Sequence, residues 1–186
     1  GEYLRLPTLH YGNSHEHLDF PGTVSLKCGT VARIVEDVLE CMRAHGFRRL
    51  VVVNSHGGNT ALLQAYAQEW AQRFGVEVYA VNFWASDFFE GAQGLVETPL
   101  SRDIHAGELE TSLMMHLCPD LVSAAHRTPE RDVEAELDGC QPGWLTKDLS
   151  PQNGALGMAS RATAQKGELL FGYLCDRLAG ILAAIK

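Results

Sequence analysis

Nine residues constrain the fold of this chain more than any others: Val51-Val52-Val53-Asn54-Ser55-His56-Gly57-Gly58-Asn59. Three β-branched residues in a row suit a strand buried on both faces, as in a parallel sheet. The run stops at a polar, glycine-rich turn, and an amphipathic helical pattern follows. That order puts His56 at the carboxyl end of a buried strand, the edge where open α/β sheets build their sites. Gly57 and Gly58 carry no Cβ, so a backbone or a ligand can come close there.

The flanking pattern extends this reading. Val31, Ile34, Val35, Val38, Leu39 and Met42 recur at helical spacing, with Thr30 as the expected N-cap and Gly46 as the stop. Ala61, Leu62, Ala65, Tyr66, Trp70 and Phe74 give a second helical face, ended by Gly75, and Val76–Val81 is a second β-rich run. Leu9–Gly12 and Thr23–Leu26 read as short strands. Residues 24–82 therefore predict a βαβαβ order and a mainly parallel sheet covered by helices. Residues 83–104 read as a loop-rich excursion, 123–150 as a polar surface connection, and Leu169, Leu170, Tyr173, Leu174, Leu178, Ile181 and Leu182 as the face of a closing helix.

The 186 residues fit one domain, 1–186, with a sizeable core. A net charge of −8 argues against nucleic-acid and anionic-membrane partners. No apolar run is long enough to span a bilayer. Five scattered cysteines, odd in number and without a CxxC pair, read as reduced thiols of a cytoplasmic protein and as small apolar filler. The chain opens at Gly1 without an initiator methionine.

Three clusters could carry chemistry. His56 is the first. The second is His105-Ala106-Gly107-Glu108-Leu109-Glu110-Thr111-Ser112, at the entrance of an apolar helix. If that helix starts near Gly107, Glu108 lies in its first turn, where a negative charge suits the dipole. His105 and Glu108 are three apart, a spacing that puts both on one helical face. The third is Ser14-His15-Glu16-His17; His-x-His can bind a metal, but a solvated loop accounts for it on sequence alone. His10, His45, His116 and His126 stand singly and read as structural. No GxxxxGK[ST], GxGxxG or GxSxG motif is present, so phosphate binding at Gly57-Gly58 is a poor second choice.

Together the clusters resemble the creatininase (creatinine amidohydrolase) family. The matching segments are Tyr11-Gly12-x-Ser14-x-Glu16-His17 with Phe20-Pro21-Gly22-Thr23; Val53-Asn54-x-His56-Gly57-Gly58-Asn59; His105-Ala106-Gly107-Glu108-x-Glu110-Thr111-Ser112; and, more loosely, Gly154 to Gly167. The resemblance implies a three-layer α/β/α fold, a binuclear centre of two divalent ions (zinc, manganese or iron), hydrolysis of a non-peptide C–N bond in a small cyclic amide or formamide, and a homo-oligomer, often a hexamer. It makes His56 and Glu108 metal ligands and His105 the proton-handling residue. Ser14, Gly57, Gly58, Asn59 and Asp103 fall to substrate binding. Trp84, Phe88 and Phe89 either wall the pocket or are plain core.

Two departures from the family pattern follow. Members carry an earlier segment that supplies a glutamate, a histidine and a bridging aspartate, and this chain begins after it; as it stands it reads as an N-terminally truncated domain. Creatininase proper has a tyrosine and a glutamate where this chain has Gly57 and Gly58, and a tryptophan next to the position of Asp103. Creatinine is therefore not the expected substrate, and the formamide-cleaving and peptide-processing branches are closer. The expected function is a metal-dependent amidohydrolase; the rival is a truncated or degenerate member that only binds or assembles.

Overall fold

A computed structural model of the chain describes residues 3–84, 88–123, 143 and 145–185. They fall into two compact units, Leu6–Phe88 and Gly1–Arg5 with Phe89–Lys186.

In the first unit the elements are α1 (Cys28–Ala44), β1 (Arg49–Asn54), α2 (Thr60–Phe74) and β2 (Glu77–Asn82). β1 and β2 pair in parallel, with Val51 opposite Tyr79, Val53 opposite Val81 and Asn54 opposite Asn82. A parallel pair needs a crossover, and α2 supplies it. Gly75 ends α2 in the left-handed region (φ 63°), its N–H closing on Ala71 O at 3.0 Å. Val31, Ala32 and Leu39 of α1 and Leu62, Leu63, Trp70 and Phe74 of α2 form one buried cluster, onto which Leu50, Val52, Val78 and Ala80 of the strands pack. Of the helical faces read from the sequence, Val31, Val35 and Leu39 and then Leu62, Tyr66, Trp70 and Phe74 are packed in this core, whereas Ala61 and Ala65 are exposed.

Three local expectations fail here. α1 begins at Cys28 with Lys27 as N-cap, so Thr30 lies within the first turn rather than capping it. Leu9–Gly12 and Thr23–Leu26 are not strands. Leu26 N–H donates to Gly12 O at 2.8 Å, but side chains take the neighbouring main-chain groups: Asn13 Nδ2 donates to Leu26 O (3.0 Å) and Ser14 N–H donates to Ser25 Oγ (2.9 Å). Asn and Ser offer the backbone local partners that compete with a ladder. The described order of this unit is therefore αβαβ.

The second unit contains α3 (Glu108–Leu117), α4 (Thr146–Leu149) and α5 (Ala164–Ala184). α3 and α5 touch backbone to backbone: a Cβ on Gly167 would stand 1.9 Å from Ser112 O. Thr163 caps α5 by accepting from Lys166 N–H. Leu170 and Leu174 of the expected apolar face are buried, whereas Leu169 is half exposed. Among the described residues of 83–104 are two short 3-10 turns, Glu90–Leu95 and Leu100–Arg102. Most of the expected surface connection, including Pro129 and Pro142, lies outside the described residues; at its end Thr146 and Ser150 are buried. Cys28, Cys41, Cys118 and Cys175 are free thiols as expected, but they are exposed and so do not serve as filler. Phe88 and Phe89 are core, each in its own unit. Among the described residues no helix is long and apolar enough to cross a membrane.

Candidate functional site

His56 follows β1 in extended backbone (φ −126°, ψ 125°), immediately before a 3-10 turn at Gly57–Asn59. Its Nε2 lies 3.1 Å from Glu16 Oε1 and 3.0 Å from Ser14 Oγ. His17 Nε2 stands 3.4 Å from the same Glu16 oxygen, and the rings of His17 and His56 are 5.9 Å apart between centroids. Glu16 and His17 come from a 3-10 turn, His15–His17. That turn is the segment that sequence reasoning assigned to solvent. One carboxylate oxygen and two imidazole nitrogens, all within 4.8 Å of one another, form the three-donor group that the described residues offer to a metal ion.

This donor set fits a divalent transition metal. Two histidines and one glutamate are a ligand combination of catalytic zinc sites, which leave a further position open. The three side chains are partly buried, with 32%, 20% and 14% of the side-chain surface accessible for His56, Glu16 and His17. The glycine after Gly57 is also explained. A Cβ on Gly58 would stand 2.4 Å from Asn13 O, 2.7 Å from His56 Nε2 and 2.9 Å from Glu16 Oε1, inside the group itself. Gly57 has open space in the Cβ direction.

Buried amides lie behind the group. Asn54 and Asn82 end the paired strands opposite each other, and Asn54 Nδ2 donates to Asn82 Oδ1 at 2.9 Å. Asn54 also holds the main chain of His56 on both sides, donating to His56 O (2.9 Å) and accepting from His56 N–H (3.2 Å). Asn59, expected to bind substrate, donates from Nδ2 to Asn54 Oδ1 (3.2 Å) and accepts at Oδ1 from Asn13 N–H (2.8 Å). Trp84 Nε1 donates to Ser55 O at 2.7 Å.

The second unit holds the other candidate segment. His105 is not on the helix, so the expectation that it shares a helical face with Glu108 fails. It sits before the helix in an antiparallel bridge to Leu156, and α3 starts at Glu108 with Gly107 as N-cap. Ala106, between them, takes a left-handed conformation (φ 50°), a strained one for a residue with a Cβ. Ala106 N–H donates to Glu110 Oε2 and Thr111 Oγ1 donates to Ala106 O. His105 Nδ1 is 3.7 Å from the same Glu110 oxygen, and about a third of each side chain is accessible. Glu110 is thus the carboxylate beside the histidine, a role the sequence reading gave to Glu108.

Glu108 is fully buried. Its oxygens accept from the N–H groups of Glu97 and Thr98, from the Thr98 hydroxyl and from the Lys166 ammonium. Lys166 also bonds Glu97 and Arg161 O. Burial works against the charge of Glu108, but the Lys166 and main-chain bonds outweigh it and hold its pKa below the ordinary value; Lys166 is raised in return. Asp103 behaves oppositely. It is nearly buried and accepts from Leu109 N–H at 2.7 Å. Its Oδ1 lies where a Cβ on Gly107 or Gly157 would clash, at 1.7 and 2.5 Å. Burial pushes its pKa up to about 6, against the pull of the helix N–H groups. Asp103 thus holds the entrance of α3, and Glu108 joins the main chain at 97–98 to Lys166.

Comparison with known proteins gives the family. The family described as creatininase, creatinine amidohydrolase, matches residues 1–182. The creatinine amidohydrolase of Pseudomonas putida is 30% identical over 190 residues, covering 90% of this chain and 69% of the relative. The mycofactocin precursor peptide peptidase of Mycobacterium tuberculosis (strain CDC 1551 / Oshkosh) is 29% identical over 178 residues, covering 94% and 63%. The chain thus spans between three-fifths and seven-tenths of the length of these relatives. A crystal structure of creatinine amidohydrolase matches with a TM-score of 0.79 and 29% identity, over 96% of this chain and 73% of that one. The α/β, three-layer class expected from the sequence is the class of that structure. Solved relatives include a manganese creatininase (TM-score 0.74, 29% identity, 95% and 73% covered) and a mutant creatininase of zinc–zinc type (TM-score 0.72, 26%, 92% and 70%). With its fold and a family match over residues 1–182, this chain belongs to the creatininase (creatinine amidohydrolase) family.

Proposed function

We propose that this chain carries part of a metal-dependent amidohydrolase site that cleaves a non-peptide C–N bond in a small cyclic amide or formamide, in the branch of the family with His-Gly-Gly-Asn. The observation that supports it is the convergence of Glu16, His17 and His56. These three residues would hold one divalent ion, zinc, manganese or iron. A cation bound there supplies Lewis acidity, polarising a carbonyl and lowering the pKa of water toward neutrality.

The chain's own residues supply the rest. Ser14 Oγ, already within hydrogen-bond distance of His56 Nε2, offers a hydroxyl to substrate, and Gly57 offers open space beside the backbone. The resemblance assigns to His105 the proton for the leaving nitrogen, a general-acid step worth roughly 10²–10⁴-fold. Glu110 Oε2 lies 3.7 Å from its Nδ1. The family's second ion and its homo-oligomeric assembly are expectations of the resemblance. Gly58 in place of a glutamate, with no room for a Cβ, argues against creatinine as the substrate.

A second reading, a binding or assembly subunit without catalysis, is favoured by one fact: the described residues bring together a single three-donor group. Metal analysis of the purified chain with an amidase assay separates the two. Stoichiometric metal and an amidase activity lost on chelation and in His56→Ala support the enzyme. Full activity in His56→Ala would overturn the assignment of that residue, and a metal-free, inactive chain would favour the subunit.

A further inference from the structure

We propose that Asn59 is a positioning residue for the Glu16, His17 and His56 group, the outer jaw of an amide clamp whose inner jaw is Asn54, and not a substrate contact. The inference rests on the proposed metal role of that group. The reason is where the amide ends go. Asn54 is buried, anchored on Asn82, and holds His56 by both its N–H and its C=O. Asn59 connects this fixed amide to the main chain of Asn13, three residues before Glu16.

Asn13 in turn reaches Leu26 O and His15 Nδ1 with its own amide, at 3.0 and 2.9 Å. The clamp therefore runs without a break from the strand end at Asn82 to the turn that carries Glu16 and His17. Two glycines show how tight it is. A Cβ on Gly12 would meet the Asn59 amide at 2.7–2.8 Å, and one on Gly58 would meet Asn13 O at 2.4 Å. The donor group comes from two segments some forty residues apart, and the Asn59 bridge ties one to the other. Groups behind a metal ligand that fix its orientation typically govern affinity by about 10–100-fold.

The test is a titration with Co²⁺, whose visible absorption also reports ligand geometry, on the full chain and on Asn59→Ala and His56→Ala, each checked for folding by far-UV circular dichroism and Tm. The expected result is a folded Asn59→Ala that binds Co²⁺ at least about tenfold more weakly, with an altered visible band. A purely structural role lowers Tm and leaves the affinity of the folded protein unchanged; with His56→Ala losing Co²⁺ binding, that result overturns the clamp alone. If His56→Ala binds Co²⁺ as tightly as the native chain, the metal reading fails and the clamp with it. Should Asn59→Ala not fold, Gly12→Ala pushes on the same amide from the other side: weakened Co²⁺ binding supports the clamp, and unchanged binding overturns it.

Discussion

The Glu16, His17 and His56 group and the 103–112 segment were built by opposite routes. The first draws its donors from two loops far apart in sequence, and their ligand atoms converge on one another. The second packs an aspartate, a histidine and two glutamates into eight consecutive residues, yet most of that chemistry is used internally. Glu108 is neutralised by Lys166, Asp103 holds the start of α3, and His105 stands 3.7 Å from Glu110 with about a third of each side chain accessible. Density of ionisable residues along a chain is thus a poor guide to a site. Convergence in space, with accessible donor atoms, is a better one.

Four variants sharpen that contrast, in falling order of expected effect. If Glu108 is an internal charge, Lys166→Met strands it, costing about 3–5 kcal/mol in urea denaturation, and Glu108→Leu added to Lys166→Met recovers most of the loss. Recovery absent from the double variant would mean that the Glu97 and Thr98 donors, left without an acceptor by Glu108→Leu, outweigh the Lys166 pair. Asp103 makes a pH prediction. Its folded pKa, about 6, is above the ordinary 3.8, so the folded state binds the extra proton in that window. Stability from this group is therefore fully present below pH 4 and is lost as pH rises through 6, by about 3 kcal/mol in total. Asp103→Asn should flatten that slope in denaturation curves measured from pH 4 to 7; an unchanged slope would remove Asp103 as its source.

Gly58→Ala tests the tightness of the first group. Its Cβ would collide with Asn13 O, and a loss of about 1–3 kcal/mol is expected from overpacking, along with weaker metal binding; a neutral result would show that the two loops can part. The smallest effect is at Ala106. Its left-handed backbone (φ 50°) is relieved by glycine, so Ala106→Gly should raise stability by up to about 1 kcal/mol in thermal unfolding. A loss instead would show that the entropy of the glycine variant outweighs the strain.

Much of this was legible in the sequence. The apolar periods gave α1, α2, α3 and α5, and the valine run followed by a polar turn gave β1 with His56 at its end. These signals are local, because burial of one face selects the residues along a strand or a helix. The strands read at Leu9–Gly12 and Thr23–Leu26 failed because Asn13 and Ser25 give their backbones other partners. Glu16 and His17 were underrated for a related reason: a short polar loop looks the same whether it faces solvent or folds onto a histidine forty residues away.

The sequence by itself determined the family and the α/β class and placed His56 after β1, since each is written in contiguous motifs whose spacing the backbone must obey. Only the tertiary structure decided which acids are free to do chemistry. A carboxylate's role depends on what surrounds it: Lys166, 58 residues further on, turned Glu108 inward, while the Asn13–Asn59 bond brought Glu16 and His17 to His56. Lys166 lies outside the segment it serves, and the Asn13–Asn59 bond joins two segments far apart in sequence, because electrostatics and hydrogen bonding act through space rather than along the chain.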